Sequence, residues 1–207
     1  MSTPPLPMRL GFLASHGGSN LQAILDAIQA GRLPAQAMLV ICNNSSAMAL
    51  KRAQAAGVEG LHLSVHTHPE PEALDGAILA ALRAREVNLV VLAGYMKKIG
   101  PQVLGAYARR VLNIHPALLP KFGGQGMYGM RVHEAVLAAG ETVSGASVHL
   151  VDGEYDRGPV LARKEVPILP QDTAQQLQAR VLEQEHLLYP ETLRGIAAGE
   201  IDLDRAE

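Results

Sequence analysis

The first 115 residues alternate short apolar runs with longer segments of helical periodicity. The apolar runs are residues 9–14, 38–42, 88–93 and 110–114. Between them, leucine, isoleucine or alanine recurs every three or four positions in residues 20–30, 47–56 and 72–85. Consecutive apolar positions indicate strands buried on both faces, and the intervening helices indicate parallel pairing through right-handed crossovers. We therefore predict an α/β fold with a Rossmann-like, doubly wound sheet.

The second half of the chain follows a different pattern. Residues 144–152 and 158–166 are β-rich and flank a short turn of glycine, aspartate and arginine, which predicts an antiparallel C-terminal hairpin and a mixed sheet. A final helix is predicted to begin after an N-cap at Asp172, to be interrupted at Pro190 and to resume to about Ala198.

The chain length fits one globular domain. Of its 207 residues, 48% are hydrophobic, which is enough to bury a core. Residues 1–7 carry three prolines and predict a disordered tail, which leaves residues 8–207 as a single domain.

Charge and cysteine content restrict partners and compartment. The 18 basic and 20 acidic residues give a net charge of −2, so neither nucleic acid nor an anionic membrane is an expected partner. No apolar run approaches the roughly 18 residues of a membrane-spanning helix, and no export signal is visible. A lone cysteine, Cys42, favours a reducing compartment, and we expect the cytoplasm.

A glycine-containing loop, residues 15–22, follows the first predicted strand and opens the first helix. Gly17 and Gly18 allow a turn with exposed N–H groups, and a helix N-terminus adds partial positive charge, which together predict a cradle for a phosphate monoester. The competing interpretation is a tight turn in which Ser19 or Asn20 caps the helix. Neither the dinucleotide nor the nucleoside-triphosphate glycine pattern matches.

Two further groups of residues indicate a polar site. Asn113 and His115 end the fourth predicted strand on the same face, where an amide and an imidazole suit an oxyanion. A carboxylate from the turn at residues 152–156, placed beside His115, would raise the pKa of the imidazole. The competing interpretations are a strand-terminal asparagine with a core histidine, and a solvated acidic turn.

Two other arrangements are rejected. His62, His66 and His68, with two nearby glutamates, lack the spacing of a zinc site, so no metal is expected. A hydrolase triad of Ser19, His115 and Asp156 lacks the G-x-S-x-G turn.

Three motifs in order resemble the phosphoribosylglycinamide formyltransferase family: VLNIHPALLP at residues 111–120, GASVH at 145–149 and DRGPV at 156–160. The resemblance extends from Met8 to about Gly199. It implies the formyltransferase fold and transfer of the formyl group of 10-formyltetrahydrofolate to the amine of 5'-phosphoribosylglycinamide in purine biosynthesis. It also implies a formylfolate co-substrate and no metal.

The resemblance implies roles for individual residues. The implied catalytic residues are Asn113, His115 and Asp156. The implied acceptor-binding residues are Gly18, Ser19 and Asn20 for the ribose phosphate and Glu185 near the glycinamide group. The implied folate-binding residues are Met96, Lys97, Lys98, Ile99 and Asn113.

The chain departs from the family pattern at a few positions. His16 stands where glycine is usual, Lys97 where arginine is common, and Pro71 near an arginine of some members. Residues 122–130 are longer and richer in glycine than in many relatives, and we interpret them as a mobile loop near the site.

Related chemistry remains open at this stage. Transfer-RNA, sugar-amine and hydrolytic formyl enzymes resemble the same motifs, but those acting on transfer RNA and those hydrolysing formylfolate have additional domains for which this length leaves no room. A second alternative is a binding module that has lost catalysis. The sequence leaves open whether the protein is a homodimer.

Overall fold

The computed structural model describes residues 7–206. Of the predicted disordered tail, residues 1–6 lie outside the described residues. Pro7 is described, and its carbonyl accepts a hydrogen bond from Asn88 Nδ2 at 3.0 Å.

Seven strands form one sheet that is flanked by helices. The strands are β1 (Met8–Ala14), β2 (Ala35–Cys42), β3 (Glu59–His62), β4 (Leu89–Leu92), β5 (Val111–His115), β6 (Val143–Leu150) and β7 (Val160–Pro167). The helices are α1 (Ser19–Gln29), α2 (Met48–Ala55), α3 (Pro71–Ala84), α4 (Pro101–Ala106), α5 (Met130–Ala138) and α6 (Ala174–Ala197). The sheet order is β3-β2-β1-β4-β5-β6-β7. The pairs from β3 to β5 are parallel, and β6 and β7 are antiparallel additions. The predicted α/β fold with an antiparallel C-terminal hairpin is thus confirmed.

Burial on both faces of the sheet explains the continuous apolar runs. Neighbouring residues of one strand enter different hydrophobic clusters: Phe12 packs with Leu21 and Tyr189, whereas Leu13 packs with Leu82. Because side chains alternate across a strand, each face needs its own apolar positions.

Three short elements were not predicted from the sequence. They are β3, α4 and α5, of four, six and nine residues. Four or six residues give β3 and α4 too few alternations or turns for a periodic signal of their own. The predicted mobile loop at residues 122–130 correspondingly ends one residue earlier, because Met130 already begins α5.

Helix α6 differs from its prediction at two points. Its N-cap is Thr173, whose side chain accepts from Gln176 N at 3.2 Å, because the Asp172 carboxylate is held by Arg180 at 2.7 Å. Pro190 does not interrupt the helix, which runs continuously to Ala197. Proline removes one hydrogen bond, but neighbouring Tyr189 is fully buried and keeps this turn packed on the sheet.

The sheet changes direction between β1 and β4. The chain moves outward from β1 through β2 to β3, and then from β4 through β5 on the other side. Such a reversal opens a crevice at the carboxyl ends of the two central strands. Ser15 joins them there: its N–H donates to Gly94 O at 3.1 Å, and its Oγ accepts from Met96 N at 2.8 Å.

Within residues 7–206, none of the helices combines the length and apolarity that crossing a membrane requires.

Tyr189 connects α6 to the two strands that carry the crevice. Its hydroxyl, fully buried, lies 3.2 Å from Leu92 O and 3.0 Å from Leu112 O. We expect Tyr189→Phe to lower the free energy of unfolding by about 1–3 kcal/mol, because buried carbonyls lose a donor. Urea unfolding measures this change. The control is Tyr128→Phe, at a side chain 52% exposed, and equal stabilities of the two variants would contradict the assigned role of Tyr189.

Candidate active site

The loop after β1 presents the amino end of α1 without a side-chain cap. Gly18 is the N-cap residue and adopts a left-handed conformation, φ 66°, while Ser19 and Asn20 are already helical. The competing interpretation, in which Ser19 or Asn20 caps the helix, is therefore wrong. Among residues 7–206, the N–H groups of Gly17, Gly18 and Ser19 have no hydrogen-bond acceptor. This end of α1 can accept an anionic ligand.

The Asn20 side chain contacts Glu185 on α6. Asn20 Nδ2 donates to Glu185 Oε2 at 2.6 Å. Glu185 is 8% exposed, and burial raises the pKa of its carboxyl group to about 7, against the opposing effect of the Asn20 hydrogen bond. Asn20 Oδ1 is buried and lacks a hydrogen-bond partner in the described part of the chain. The pair links the loop after β1 to α6 and leaves one acceptor atom for a ligand.

Asn113 and His115 lie on the same face at the carboxyl end of β5, as predicted. His115 is 3% exposed, and its Nε2 lies 2.7 Å from Phe122 O. A carbonyl oxygen only accepts, so Nε2 carries a proton. His115 Nδ1 lies 3.5 Å from Asp156 Oδ2, on the turn between β6 and β7.

Only one of the three turn carboxylates contacts His115. Asp152 and Glu154 are exposed, and Asp152 Oδ1 accepts from Glu154 N at 2.9 Å within the turn. Asp156 instead faces inward and accepts from Gly124 N at 2.9 Å. Burial raises the pKa of Asp156, but its contacts with His149, His115 and Gly124 together lower that pKa below its ordinary value. Asp156 is therefore a carboxylate at neutral pH.

The pKa of His115 differs from the expectation. The negative charge of Asp156 does raise it, and so does the Phe122 carbonyl, but burial acts more strongly, so the net pKa is lowered. Desolvation penalises the imidazolium, as it does any buried cation. In the protein without ligands, His115 is thus predominantly neutral at pH 7, and a nearby negative charge is needed to favour its protonation.

His149 joins this group and was not singled out from the sequence. It is 2% exposed, and its Nδ1 lies 2.8 Å from Leu150 O, so Nδ1 carries a proton. Its Nε2 lies 3.1 Å from Asn113 Nδ2 and 3.4 Å from Asp156 Oδ1. His149 ends the quoted GASVH motif, which was the available signal.

His133 on α5 is a second residue that the sequence did not indicate. It is 1% exposed and lines the same cavity as His115. Burial first, and the charge of His115 second, lower its pKa to about 4. It follows the glycine-rich loop, where no periodic pattern precedes it, so no sequence signal marked it.

Two cavities meet at Asn113 and Asp156. The larger, about 760 Å³, extends from these residues to Asn20 and Glu185. The smaller, about 70 Å³, lies beside Lys98 and Ile99. Of the predicted folate-binding residues, Met96 lines the larger cavity, Lys98 and Ile99 line the smaller, and Lys97 and Asn113 line both. Gly18 and Ser19 are not among the lining residues of either cavity.

Residues 96–99, which line the two cavities, lie just before α4. A side chain of α3 fixes the start of α4. Asp75, 5% exposed, accepts from Gln102 N at 2.7 Å and from Val103 N at 3.3 Å, and so caps α4. A Cβ at Gly100 would lie 2.1 Å from Asp75 Cγ, so only glycine permits this approach. The cap fixes the chain immediately after Ile99.

Comparison with known proteins agrees with this geometry. A family model described as formyl transferase matches residues 8–193. The chain is similar to the chloroplastic phosphoribosylglycinamide formyltransferase of Vigna unguiculata, with 41% identity over 189 residues that cover 91% of this chain and 60% of that protein. It is 36% identical over 196 residues to the phosphoribosylglycinamide formyltransferase of Escherichia coli strain K12, covering 95% of this chain and 90% of that one.

A solved structure extends the similarity to three dimensions. Glycinamide ribonucleotide transformylase 1 from Symbiobacterium toebii superposes with a TM-score of 0.87 and 41% identity, covering 93% of this chain and 88% of that chain. The resemblance inferred from the three sequence motifs is thereby confirmed. Because the family model matches most of the chain and a bacterial relative is matched over most of its length, the chain belongs to the formyl transferase family.

Proposed function

We propose that the protein transfers the formyl group of 10-formyltetrahydrofolate to the amine of 5'-phosphoribosylglycinamide. One observation carries the proposal: Asn113, His115 and Asp156 converge where a large cavity and a small cavity meet. A group-transfer enzyme needs its two substrates to meet at such a point. The names of the similar proteins support the same reaction.

The acceptor is proposed to occupy the larger cavity. Its phosphate would bind the free N–H groups at the amino end of α1, near Gly18 and Ser19. Glu185 would bind the amine end, since a buried carboxylate favours a cationic or hydrogen-donating group. The Asn20 side chain donates to Glu185, so we assign that side chain to positioning Glu185 and the Asn20 backbone to the phosphate.

The folate is proposed to bind along residues 96–99 and Asn113. Its carboxylates suit the cations Lys97 and Lys98, and its ring system suits the narrow cavity beside Ile99. Lys98 Nζ lies 5.9 Å from the Tyr155 ring centroid, which holds this cation at the mouth of the cavity. The cap that Asp75 provides for α4 keeps these positions in place.

In the proposed reaction, the formylfolate supplies a carbonyl carbon that the acceptor amine attacks. Asn113 Nδ2 has a second N–H that can donate to the developing oxyanion, and His115 Nε2 can donate once that oxygen replaces the Phe122 carbonyl as its acceptor. Negative charge beside His115 raises the pKa that burial had lowered, and Asp156 stabilises the resulting imidazolium. When the new C–N bond is complete and the old one breaks, the former amine loses one proton and the folate nitrogen gains one.

Other features complete the proposal. We propose that residues 8–207 form a single catalytic domain that works in the cytoplasm on small molecules, without nucleic acid or membrane. We also propose that it uses no metal.

The test is a spectrophotometric assay of folate deformylation with 10-formyltetrahydrofolate and 5'-phosphoribosylglycinamide, run beside a reaction that lacks the acceptor. We expect turnover only with the acceptor, because Glu185 and the α1 loop are needed to bring an amine to the formyl carbon. Turnover without acceptor would identify a hydrolase, and ligand binding without turnover would identify a binding module. Either result would overturn the proposal.

Substitution of the oxyanion donors tests the mechanism. We expect Asn113→Ala and His115→Ala each to lower kcat by about 100- to 1000-fold, because one donor to the developing charge is lost. Steady-state kinetics at saturating substrates measure this change. His66→Ala removes an exposed histidine after β3 and should leave kcat unaltered. Near-normal kcat in both donor variants would exclude this mechanism.

The raised pKa of Glu185 predicts a pH dependence of acceptor binding. Its carboxyl group, with a pKa of about 7, is charged above pH 7 and becomes neutral below it. We expect Glu185→Gln to raise the acceptor KM strongly at pH 8 and progressively less toward pH 6, where the wild-type carboxyl group is also neutral. The KM ratio of variant to wild type isolates this effect, because the amine titrates identically in both. A ratio independent of pH would show that the charge of Glu185 is not used.

A further inference from the structure

The proposed phosphate loop has one basic side chain, the imidazole of His16. Residues 15–22 include neither lysine nor arginine. A phosphate monoester carries close to two negative charges at neutral pH, and free N–H groups offer only partial positive charge. A residue from another element can therefore strengthen this site by orienting those N–H groups.

Helix α2 supplies a guanidinium to this loop. Arg52 Nε donates to Gly17 O at 2.8 Å, and Arg52 Nη1 donates to Gln22 Oε1 at 3.0 Å. Gln22 is itself fixed by a hydrogen bond from its Nε2 to Asp26 Oδ1 at 2.8 Å. Arg52 is thus attached to both sides of the loop, to the turn before α1 and to the first turns of that helix.

The same helix also holds the preceding peptide. Ala49 N donates to His16 O at 3.0 Å. A Cβ at Gly18 would lie 2.9 Å from Ala49 Cβ, so α2 and the loop are in the closest contact that a glycine allows. Two consecutive carbonyls, those of His16 and Gly17, therefore point at α2.

The orientation of these carbonyls determines where the N–H groups point. In a trans peptide, the carbonyl and the next N–H face opposite directions. With the carbonyls of His16 and Gly17 directed at α2, the N–H groups of Gly17 and Gly18 face away from it. Neither has an acceptor among residues 7–206. By bonding to the Gly17 carbonyl, Arg52 keeps this oxygen, which would repel an anion, directed at α2. The Gly18 N–H of the same peptide then faces the opposite side, where it can attract an anion.

Two observations connect this arrangement with a ligand. Asn20, 8% exposed, lines the larger cavity and keeps a buried Oδ1 without a partner in the described chain. The charge of Arg52 also extends to α6, where burial and then Arg52 lower the pKa of His186, the neighbour of Glu185. The guanidinium therefore acts electrostatically on the acceptor side of the site.

We propose that Arg52 is the positioning residue of the phosphate site: its bond to the Gly17 carbonyl orients the free N–H groups of the loop toward the ligand. This inference rests on the proposed function, because the phosphate is that of the acceptor. Arg52 makes the site selective for phosphorylated acceptors over the same amines without phosphate.

Three variants test the proposal: Arg52→Gln, Arg52→Lys and the control Lys51→Gln, at an exposed lysine on the same helix. Kinetics are measured with phosphoribosylglycinamide and with its dephosphorylated riboside. We expect Arg52→Gln to raise KM for the phosphorylated acceptor by about 10- to 100-fold, the loss typical of a charged hydrogen bond. Its kcat/KM for the riboside and its KM for formylfolate should match wild type. Arg52→Lys keeps the positive charge but lacks the planar guanidinium, so its KM for the phosphorylated acceptor should lie between those of wild type and Arg52→Gln. Lys51→Gln should have the wild-type KM.

Two kinetic results would contradict the proposed role of Arg52. Equal losses on both acceptors would make Arg52 a merely structural residue, and an unaltered KM in Arg52→Gln would remove it from the site. Thermal unfolding of each variant identifies a folding defect. If Arg52→Gln is destabilised, the kinetics of Arg52→Lys are compared with those of wild type instead.

A binding measurement separates this inference from the proposed function. Ribose 5-phosphate is titrated calorimetrically into wild type and Arg52→Gln. Binding by wild type that is lost in the variant supports the phosphate site even if no formyl transfer occurs. Equal binding by both proteins, or by neither, overturns the role of Arg52 whatever the transfer assay gives.

Discussion

Burial of the parallel sheet on both faces is the constraint on which the remaining structure depends. Phe12 and Leu13, adjacent in β1, enter different cores, so neither face of the central strands is free for a ligand. Polar groups can therefore gather only where the strands end. The reversal between β1 and β4 opens the sheet there, and Ser15 joins the two strand ends with bonds to Gly94 and Met96.

The ionisable groups of the site are placed where burial opposes their charge. Burial lowers the pKa of His115 and raises that of Glu185 to about 7, while the contacts of Asp156 with His149, His115 and Gly124 hold its pKa below the ordinary value. His149 bridges this cluster without facing solvent: its Nδ1 bonds to Leu150 O, and its Nε2 lies near both Asn113 and Asp156. At neutral pH the site therefore holds the negative charge of Asp156 and a partly ionised Glu185 beside a largely neutral His115.

Helices that pack on the sheet contribute side chains that bond to residues near the strand ends. Helix α6 brings Glu185 to Asn20, α2 brings Arg52 to Gly17, and α3 brings Asp75 to the start of α4. In each case a charged side chain bonds to a partner far away in the sequence. The contact of Glu185 with Asn20 lines the larger cavity, and the other two fix the loop before α1 and the start of α4.

The sequence by itself determined the strand–helix alternation, the mixed sheet and the convergence of Asn113 and His115, because periodicity and strand alternation are local properties. It also marked Gly18 as the turn before α1. The motif resemblance singled out Asp156, but spacing alone did not separate it from Asp152 and Glu154, and the tertiary structure places it beside His115. Only the tertiary structure decided that Arg52 bonds to the loop before α1 and that His149 lies beside Asn113. It also decided that burial outweighs Asp156 in the pKa of His115. These outcomes depend on distances between segments and on solvent exclusion, which no single stretch of sequence encodes.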